Sequence, residues 1–349
     1  MLQVNTEEFK KKIYLLGLSI IKGIPISYNM KMIRFDTEGS NVYGYTYDGI
    51  NNIRVLIGTS NTEFHAIIDY ASFSSFIKAC EGDTISLETK DSFMQIKSKN
   101  TKCKLPIQNT SVKDGGIPDP TGPFTYNQSL TESIDLGSLK TILNPSCVID
   151  IYRKIYFGDN IMVSDTDNVL IIKKRIFDKD FLLNLSSVEI LNNVTNIKYT
   201  YSTKVTSNAK LEYLNISADE LVASMIIDTN VKNEFQYSDL MDLFSSITGN
   251  KVKLNISTIS KATSTGAIFN QVPNMVFNDK GVFANIALAD YIYKIDGTPC
   301  TDRKFVLESN LVKRMSSVGS DVTLYYEQPD LIKCEADDKM GIFCVKEVT

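Results

Sequence analysis

Two kinds of residue in this chain could do chemistry: a short acidic turn, Ser164-Asp165-Thr166-Asp167, and cations set at helical spacing. Aspartates two apart on a turn can open a calcium or magnesium loop, in which carboxylate oxygens ligate a hard cation. A complete EF-hand-type loop also needs a further acidic or amide residue, a glycine and a distal glutamate, and these are missing. The single histidine, His65, falls in a strand pattern, where a structural role outweighs a catalytic one. There is no G-x-x-x-x-G-K-[ST] phosphate loop, no H-E-x-x-H and no G-x-S-x-G. The expectation is a protein with no catalytic residue, no metal and no cofactor. The helix-borne cations are Lys10, Lys11, Lys12, Lys22, Lys78, Lys140, Lys313 and Arg314. Such lysines ordinarily form a solvated helix face; the functional reading is contact with nucleic-acid phosphates.

Composition narrows the choice. The net charge of −4 does not mark the whole chain as a nucleic-acid binder, although an enclosed surface could be basic on an acidic protein. At 349 residues the chain has room for two or three domains. No apolar run reaches the roughly 18 to 20 residues that span a bilayer, and the polar Gln3, Asn5, Glu7 and Glu8 do not read as a secretory signal. Cys80, Cys103, Cys147, Cys300, Cys334 and Cys344 are scattered without a CxxC pair, which suggests free thiols in a reducing cytoplasm. Cys80, Cys103 and Cys344 fall on predicted core faces.

The elements that must position these residues follow a repeat. A strand over 65–68 runs into a helix with Phe73, Phe76, Ile77 and Cys80 inward, stopped by Glu81-Gly82-Asp83. Three alternating strands follow at 84–88, 93–97 and 102–107. The same order recurs near the C-terminus: a strand at 304–307, a helix carrying Leu311, Val312, Met315 and Val318, then strands at 322–326, 331–335 and 341–348. A weaker middle copy has a strand at 181–183, helical Val188, Leu191 and Val194, and strands at 197–201, 211–216 and 224–228. A spacing of roughly 110 to 125 residues is a repeat of domain size, too long for a solenoid unit.

In front of the first copy lies a helix over 7–22 with Thr6 as its N-cap, then strands at 32–36, 42–47 and 53–59, so one domain is two similar halves. Residues 108–128 form a Gly/Pro-rich linker. The second domain opens with a short helix through Leu136 and Leu139, ended by Asn144-Pro145, and strands at 154–157, 160–164 and 169–173. The third opens with a helix carrying Leu240, Leu243, Phe244 and Ile247, then strands at 252–256, 275–278, 282–287 and 291–295. The Ser/Thr-rich stretch 257–271 is expected to be a mobile surface loop. The prediction is α+β: domains at 1–124, 125–233 and 234–349, each with two helices packed on antiparallel sheets.

This layout resembles the sliding-clamp family, the three-domain bacterial DNA polymerase III beta subunit. The resemblance is carried by AIIDYASFSSFIKAC with GDTISLETKDSFMQIKSKNTKCKLP, by VYGYTYDGINNIRVLI, and by FVLESNLVKRMSSVGSDVTLYY. It implies a head-to-tail homodimer, a six-domain ring around duplex DNA with sheets outside and helices lining the hole. It also implies a polymerase and a clamp loader as partners, backbone rather than base contacts, no enzymatic activity and a cytoplasmic location. The helix-borne cations would then face DNA, with Glu189, Asp239 and Asp242 as discordant charges.

In the family a partner peptide docks between the second and third domains, against a T-D-G-H-R-L-like turn and an M-P-M-R-L-like end. The corresponding residues are Ser164, Asp165, Thr166, Asp167, Asn168 and Val169, with Val345 and Lys346 at the end. Asp167 and Asn168 stand in place of histidine and arginine, and an apolar groove would run through Val169, Leu170 and Val345. The rival reading is a strand-rich structural or virion assembly protein whose repeats pack into a shell or tube. A weaker third is an enzyme using Asp165 and Asp167.

Overall fold

The computed structural model describes residues 1–20, 27–108, 115–130, 134–143, 147, 149–205, 209–231, 237–268, 272–278, 281–286, 291–295, 303–306 and 308–346. Within them one short pattern occurs six times: a lead strand, a helix and three antiparallel strands. The first copy is β1 (Leu2–Asn5), α1 (Thr6–Gly17), β2 (Met32–Glu38), β3 (Asn41–Tyr47) and β4 (Asn51–Thr59); the second is β5 (Ala66–Asp69), α2 (Tyr70–Ala79), β6 (Thr84–Lys90), β7 (Phe93–Lys97) and β8 (Lys102–Pro106). The third is β9 (Gln128–Ser129), α3 (Leu136–Lys140), β10 (Lys154–Phe157), β11 (Ile161–Ser164) and β12 (Asn168–Ile172). The fourth is β13 (Phe181–Asn184), α4 (Leu185–Asn192), β14 (Lys198–Val205), β15 (Lys210–Ala218) and β16 (Leu221–Ile227). Helix α5 (Tyr237–Ser246) stands outside the pattern. The fifth copy is β17 (Lys251–Asn255), α6 (Ile256–Ile268), β18 (Asn274–Asn278), β19 (Gly281–Ile286) and β20 (Tyr291–Ile295). The sixth is β21 (Arg303–Val306), α7 (Ser309–Ser316), β22 (Asp321–Tyr325), β23 (Leu331–Glu335) and β24 (Lys339–Cys344).

The pattern corrects three sequence expectations. Residues 256–268 are a helix, not a surface loop, and this helix rather than α5 opens the last repeat. Its hydroxyls bond within the helix: Thr263, Ser264 and Thr265 each donate to the carbonyl four residues back, at 2.9–3.0 Å. Second, β1 precedes α1, and the cap is Asn5 rather than Thr6: its Oδ1 accepts from the Glu7 and Glu8 amides at 3.1 Å. Third, Cys344 is exposed rather than core-facing, whereas Cys80 is buried. Gly82, expected to stop α2, has φ +88°, a conformation that favours glycine. Asn144-Pro145, the 109–114 stretch of the linker, 269–271 and 347–349 lie outside the described residues.

The helices share a local code. Asn5, Asp69, Asp135 and Asn255 each accept backbone amides of the first turn. Four residues later comes an apolar anchor, Phe9, Phe73, Leu139 and Ile259, none more than 1% exposed. Val188 and Val312 hold the same places after Asn184 and Glu308. Cap and anchor together fix the rotation of each helix on its sheet.

Contacts divide the chain into two compact units. Unit 1 holds residues 1–134 and 186–227. It contains the sheets β1-β6-β7-β8 and β5-β2-β3-β4-β16-β15-β14-β9. Each half of the first repeat pair thus gives its lead strand to the other half's sheet: β5 joins β2, and β1 joins β6. Helices α1 and α2 meet through Phe9 and Phe73, edge to face at 6.0 Å, and Phe73 meets Phe35 of β2 at 5.4 Å.

Unit 2 holds residues 135–185 and 228–349. Its sheets are β13-β10-β11-β12-β24-β23-β22-β17 and β20-β19-β18-β21, with the same exchange of lead strands. Helix α5 lays Phe244, Leu240 and Met241 over Tyr156, Met162, Val169, Ile171, Met340 and Ile342 of the long sheet. Buried Lys333 of β23 secures the end of α5, donating from Nζ to the Phe244 and Ile247 carbonyls at 3.0 and 3.1 Å. A cation there satisfies carbonyls left over at a helix C-terminus. Burial pushes the Lys333 ammonium below its ordinary value, partly offset by Glu335.

Candidate nucleic-acid interface

One or two places past the buried anchor, four of the six repeat helices carry a cation: Lys10 and Lys11 on α1, Lys140 on α3, Lys261 on α6, and Lys313 and Arg314 on α7. Lys11, Lys140, Lys261 and Lys313 are exposed. Lys78, five residues past Phe73 on α2, is exposed as well. Lys10 is partly covered and pairs with Glu7 at 3.0 Å. Glu189 holds the position after the anchor on α4. Asp239 and Asp242 lie on α5, outside the repeated helices, so they do not belong to this series.

Two expected cations are otherwise engaged. Lys12 is only 5% exposed and its Nζ lies 2.7 Å from both Glu8 and Glu220. Its position, one turn before Leu16, turns it inward, so it holds α1 against the β15–β16 turn instead of presenting charge to solvent. Arg314 is partly exposed and gives Nη2 to Asp165 at 2.9 Å. Lys22 lies outside the described residues. Lys261 was missed because the stretch that carries it was read as a loop. The available signal was Asn255 followed by Ile256, Ile259 and Ala262 at helical spacing.

The expected peptide-binding turn is built from buried, internally satisfied groups. Asp165 is 8% exposed and its Oδ1 accepts from the Asp167 amide (2.8 Å), the Asn168 amide (2.7 Å) and Asn168 Nδ2 (2.9 Å). Ser164 is buried and donates to the Asp165 and Asn168 carbonyls. With Arg314 on its other oxygen, Asp165 is an Asx-turn anchor, which answers the metal-loop and enzyme readings. Among the described residues no cluster of three His, Cys, Asp or Glu could hold a metal ion.

The groove through Val169, Leu170 and Val345 needs correction too. Adjacent strand residues face opposite sides of a sheet. Leu170 is fully buried, and Val169 packs in the cluster covered by α5. Asn168 is 2% exposed. What stays at the surface is Thr166, Asp167, part of Val345, and Lys346, which pairs with Glu308 at 3.3 Å. His65 is half exposed beside Asp36, with 2.5 Å between Nδ1 and Oδ1, immediately before β5 rather than within it.

No protein-family model matches the chain, and no curated protein sequence does. Solved structures do. The Helicobacter pylori beta clamp bound to a DNA ligase peptide is 11% identical over 99% of each chain, with a TM-score of 0.71. A putative DNA polymerase III beta subunit from Eubacterium rectale is 12% identical over 98% of each chain, TM-score 0.72. The Thermotoga maritima DNA polymerase III beta subunit is 11% identical over 99% of each, TM-score 0.72. At such identities the likeness is one of fold. The chain has the α+β fold of the sliding clamps along its whole length.

Proposed function

We propose that this chain is a DNA polymerase processivity factor: two copies join head to tail into a ring that encircles duplex DNA and tethers a polymerase. The observation that carries the proposal is a pairing rule in the sheets. The third strand of a first half pairs with the third strand of the second half one domain further on: β4 with β16, and β12 with β24. Among the described residues the rule leaves β20 and β8 as the two third strands at a sheet edge. Applied once more, it joins β20 of one copy to β8 of the next. Two four-stranded sheets then become one of eight strands, like the two already present. An open edge with no cover is a strand-pairing surface, and such a heterologous contact closes a ring when the rotation allows.

The reading assigns three domains per chain, with boundaries at 1–124, 125–233 and 234–349. Lys10, Lys11, Lys78, Lys140, Lys261 and Lys313 contact phosphates without reading bases, with Lys22 as a further candidate. A ring holds DNA topologically, so these contacts can be weak and salt-sensitive. No catalysis and no cofactor are required. The polymerase and a clamp loader dock at the C-terminal end of β24, near Asp167, Val345 and Lys346, with a specificity altered by the loss of the family's histidine and arginine. Among the described residues no helix is long and apolar enough to cross a membrane.

The test is retention of the protein on nicked circular against linearised DNA after a high-salt wash, with its loader. Retention on circles that is lost on linearisation is expected. Equal retention on both by a loading-competent preparation overturns encirclement. If the protein instead runs as a concentration-dependent series of polymers, the same edge contact makes an open filament and the structural-protein reading takes over.

A further inference from the structure

Two turns far apart in sequence are built alike. In unit 1, the β3–β4 turn runs from Asp48 to Asn51, the first residue of β4. Asp48 Oδ1 accepts from the Ile50 amide at 2.9 Å and the Asn51 amide at 2.6 Å, and Asn51 Nδ2 donates to Asp48 Oδ2 at 2.9 Å. In unit 2, the β11–β12 turn runs from Asp165 to Asn168, the first residue of β12, with the corresponding three bonds at 2.8, 2.7 and 3.2 Å. Both read Asp-x-x-Asn. Both close the hairpin whose third strand makes the junction to the next domain's sheet.

Each turn is also gripped by the incoming partner. Asn51, fully buried, donates from Nδ2 to Ser186 Oγ at 2.9 Å, and its Oδ1 accepts from buried Ser187 Oγ at 2.5 Å. Both serines lie at the start of α4, the helix of the copy that supplies β16. Asp165 takes Arg314 of α7, the helix of the copy that supplies β24. The backbones match as well. The Ile226 amide donates to the Ile50 carbonyl at 3.0 Å, and the Cys344 amide to the Asp167 carbonyl at 3.2 Å, each one residue before the turn's Asn. The two junctions thus use one device, with hydroxyls in the first and a guanidinium in the second.

We propose that these Asp-x-x-Asn turns and their docked helices are latches that hold the two inner sheet junctions shut. Removing Asn51 would strand the buried Ser187 hydroxyl and one Asp48 oxygen and leave the strand ladder alone at that junction. Removing Asn168 would take away the side-chain amide that braces both Asp165 oxygens and so loosen the carboxylate that Arg314 holds. The latch assignment stands on the contacts within each unit.

Hydrogen exchange on the intact protein tests both latches. Asn51→Ala is expected to speed exchange of the Leu56 and Ile226 amides about tenfold and leave Cys344 and its β24 neighbours unchanged; Asn168→Ala does the converse. Ser187→Ala and Arg314→Met remove only the helix side of each latch and give the same local pattern if the turn variants fail to fold. No acceleration at a variant's own junction, or equal acceleration at both, overturns the latches.

Discussion

Lysines 10, 11 and 12 are consecutive, yet the helix sends them to three different fates. Lys11 is exposed, Lys10 pairs with Glu7, and Lys12 is buried between Glu8 and Glu220. This predicts opposite phenotypes for neighbouring substitutions. Lys11→Ala and Lys261→Ala should each lower the slope of log K against log salt for DNA binding by about 0.9, the value of one phosphate contact, with unchanged thermal stability. Lys12→Met should leave that slope alone and lower stability, because Glu220 loses its partner while its backbone still carries the Leu56 amide at 2.9 Å. A salt titration by fluorescence anisotropy with a melting curve separates the two. Equal slopes for Lys11→Ala and wild type would remove that lysine from the interface.

At the scale of elements, helices α5 and α6 show which sequence signals can be trusted. Helix α6 has few strong helix formers, and its stability rests on the Asn255 cap and the buried Ile256, Ile259 and Ala262. Asn255→Ala is expected to destabilise the protein by about 1 kcal/mol, read as a lower urea midpoint. Helix α5 depends on Lys333. Lys333→Met keeps most of the side-chain volume but strands two carbonyls, and should cost about 1–3 kcal/mol with increased exchange at the end of α5. If the loss is spread evenly over the chain, Lys333 is not the clasp of α5. Six copies of strand, helix and three strands were half legible in the sequence. The alternation of 84–107 and the helical spacing of Phe73 and Ile77 gave one copy clearly, because burial on one face imposes a period. Two-residue β9 and four-residue β1 are too short to show a period, and their place is set only by pairing with β14 and β6.

For the molecule as a whole, acid should act first on unit 2. Burial alone would raise the Asp135 carboxyl, but the Lys339 and Ser138 hydrogen bonds outweigh it and hold it below the usual range. Glu335 is likewise raised by burial and brought down further by Lys173 and Tyr325. Carboxyls lowered in the folded state contribute stability that is complete above their unfolded values, about pH 4, and lost as pH falls toward the lowered native ones. Urea midpoints measured from pH 6 down to pH 3 should therefore drop, and Lys339→Met should flatten part of the fall. An unchanged pH profile in that variant would assign the acid sensitivity to other groups.

Sequence alone determined what is local. Apolar periodicity placed most strands and helices within a few residues, the recurrence of one element order revealed a domain-scale repeat, and the absence of catalytic motifs pointed away from an enzyme. Those conclusions follow because a strand or helix face is encoded by residues two to four apart. Tertiary structure decided which of the cations stay at the surface, that Ser257–Gln271 begins as a helix, and that Asp165 anchors a turn rather than meeting a ligand. It also decided how the lead strands exchange and which strand edges remain open. Each depends on partners separated by tens to more than a hundred residues, as with Lys12 and Glu220, Asn51 and Ser187, or Arg314 and Asp165. A burial or ion pair of that kind has no period in the chain, so it exists only once the sheets have brought its two ends together.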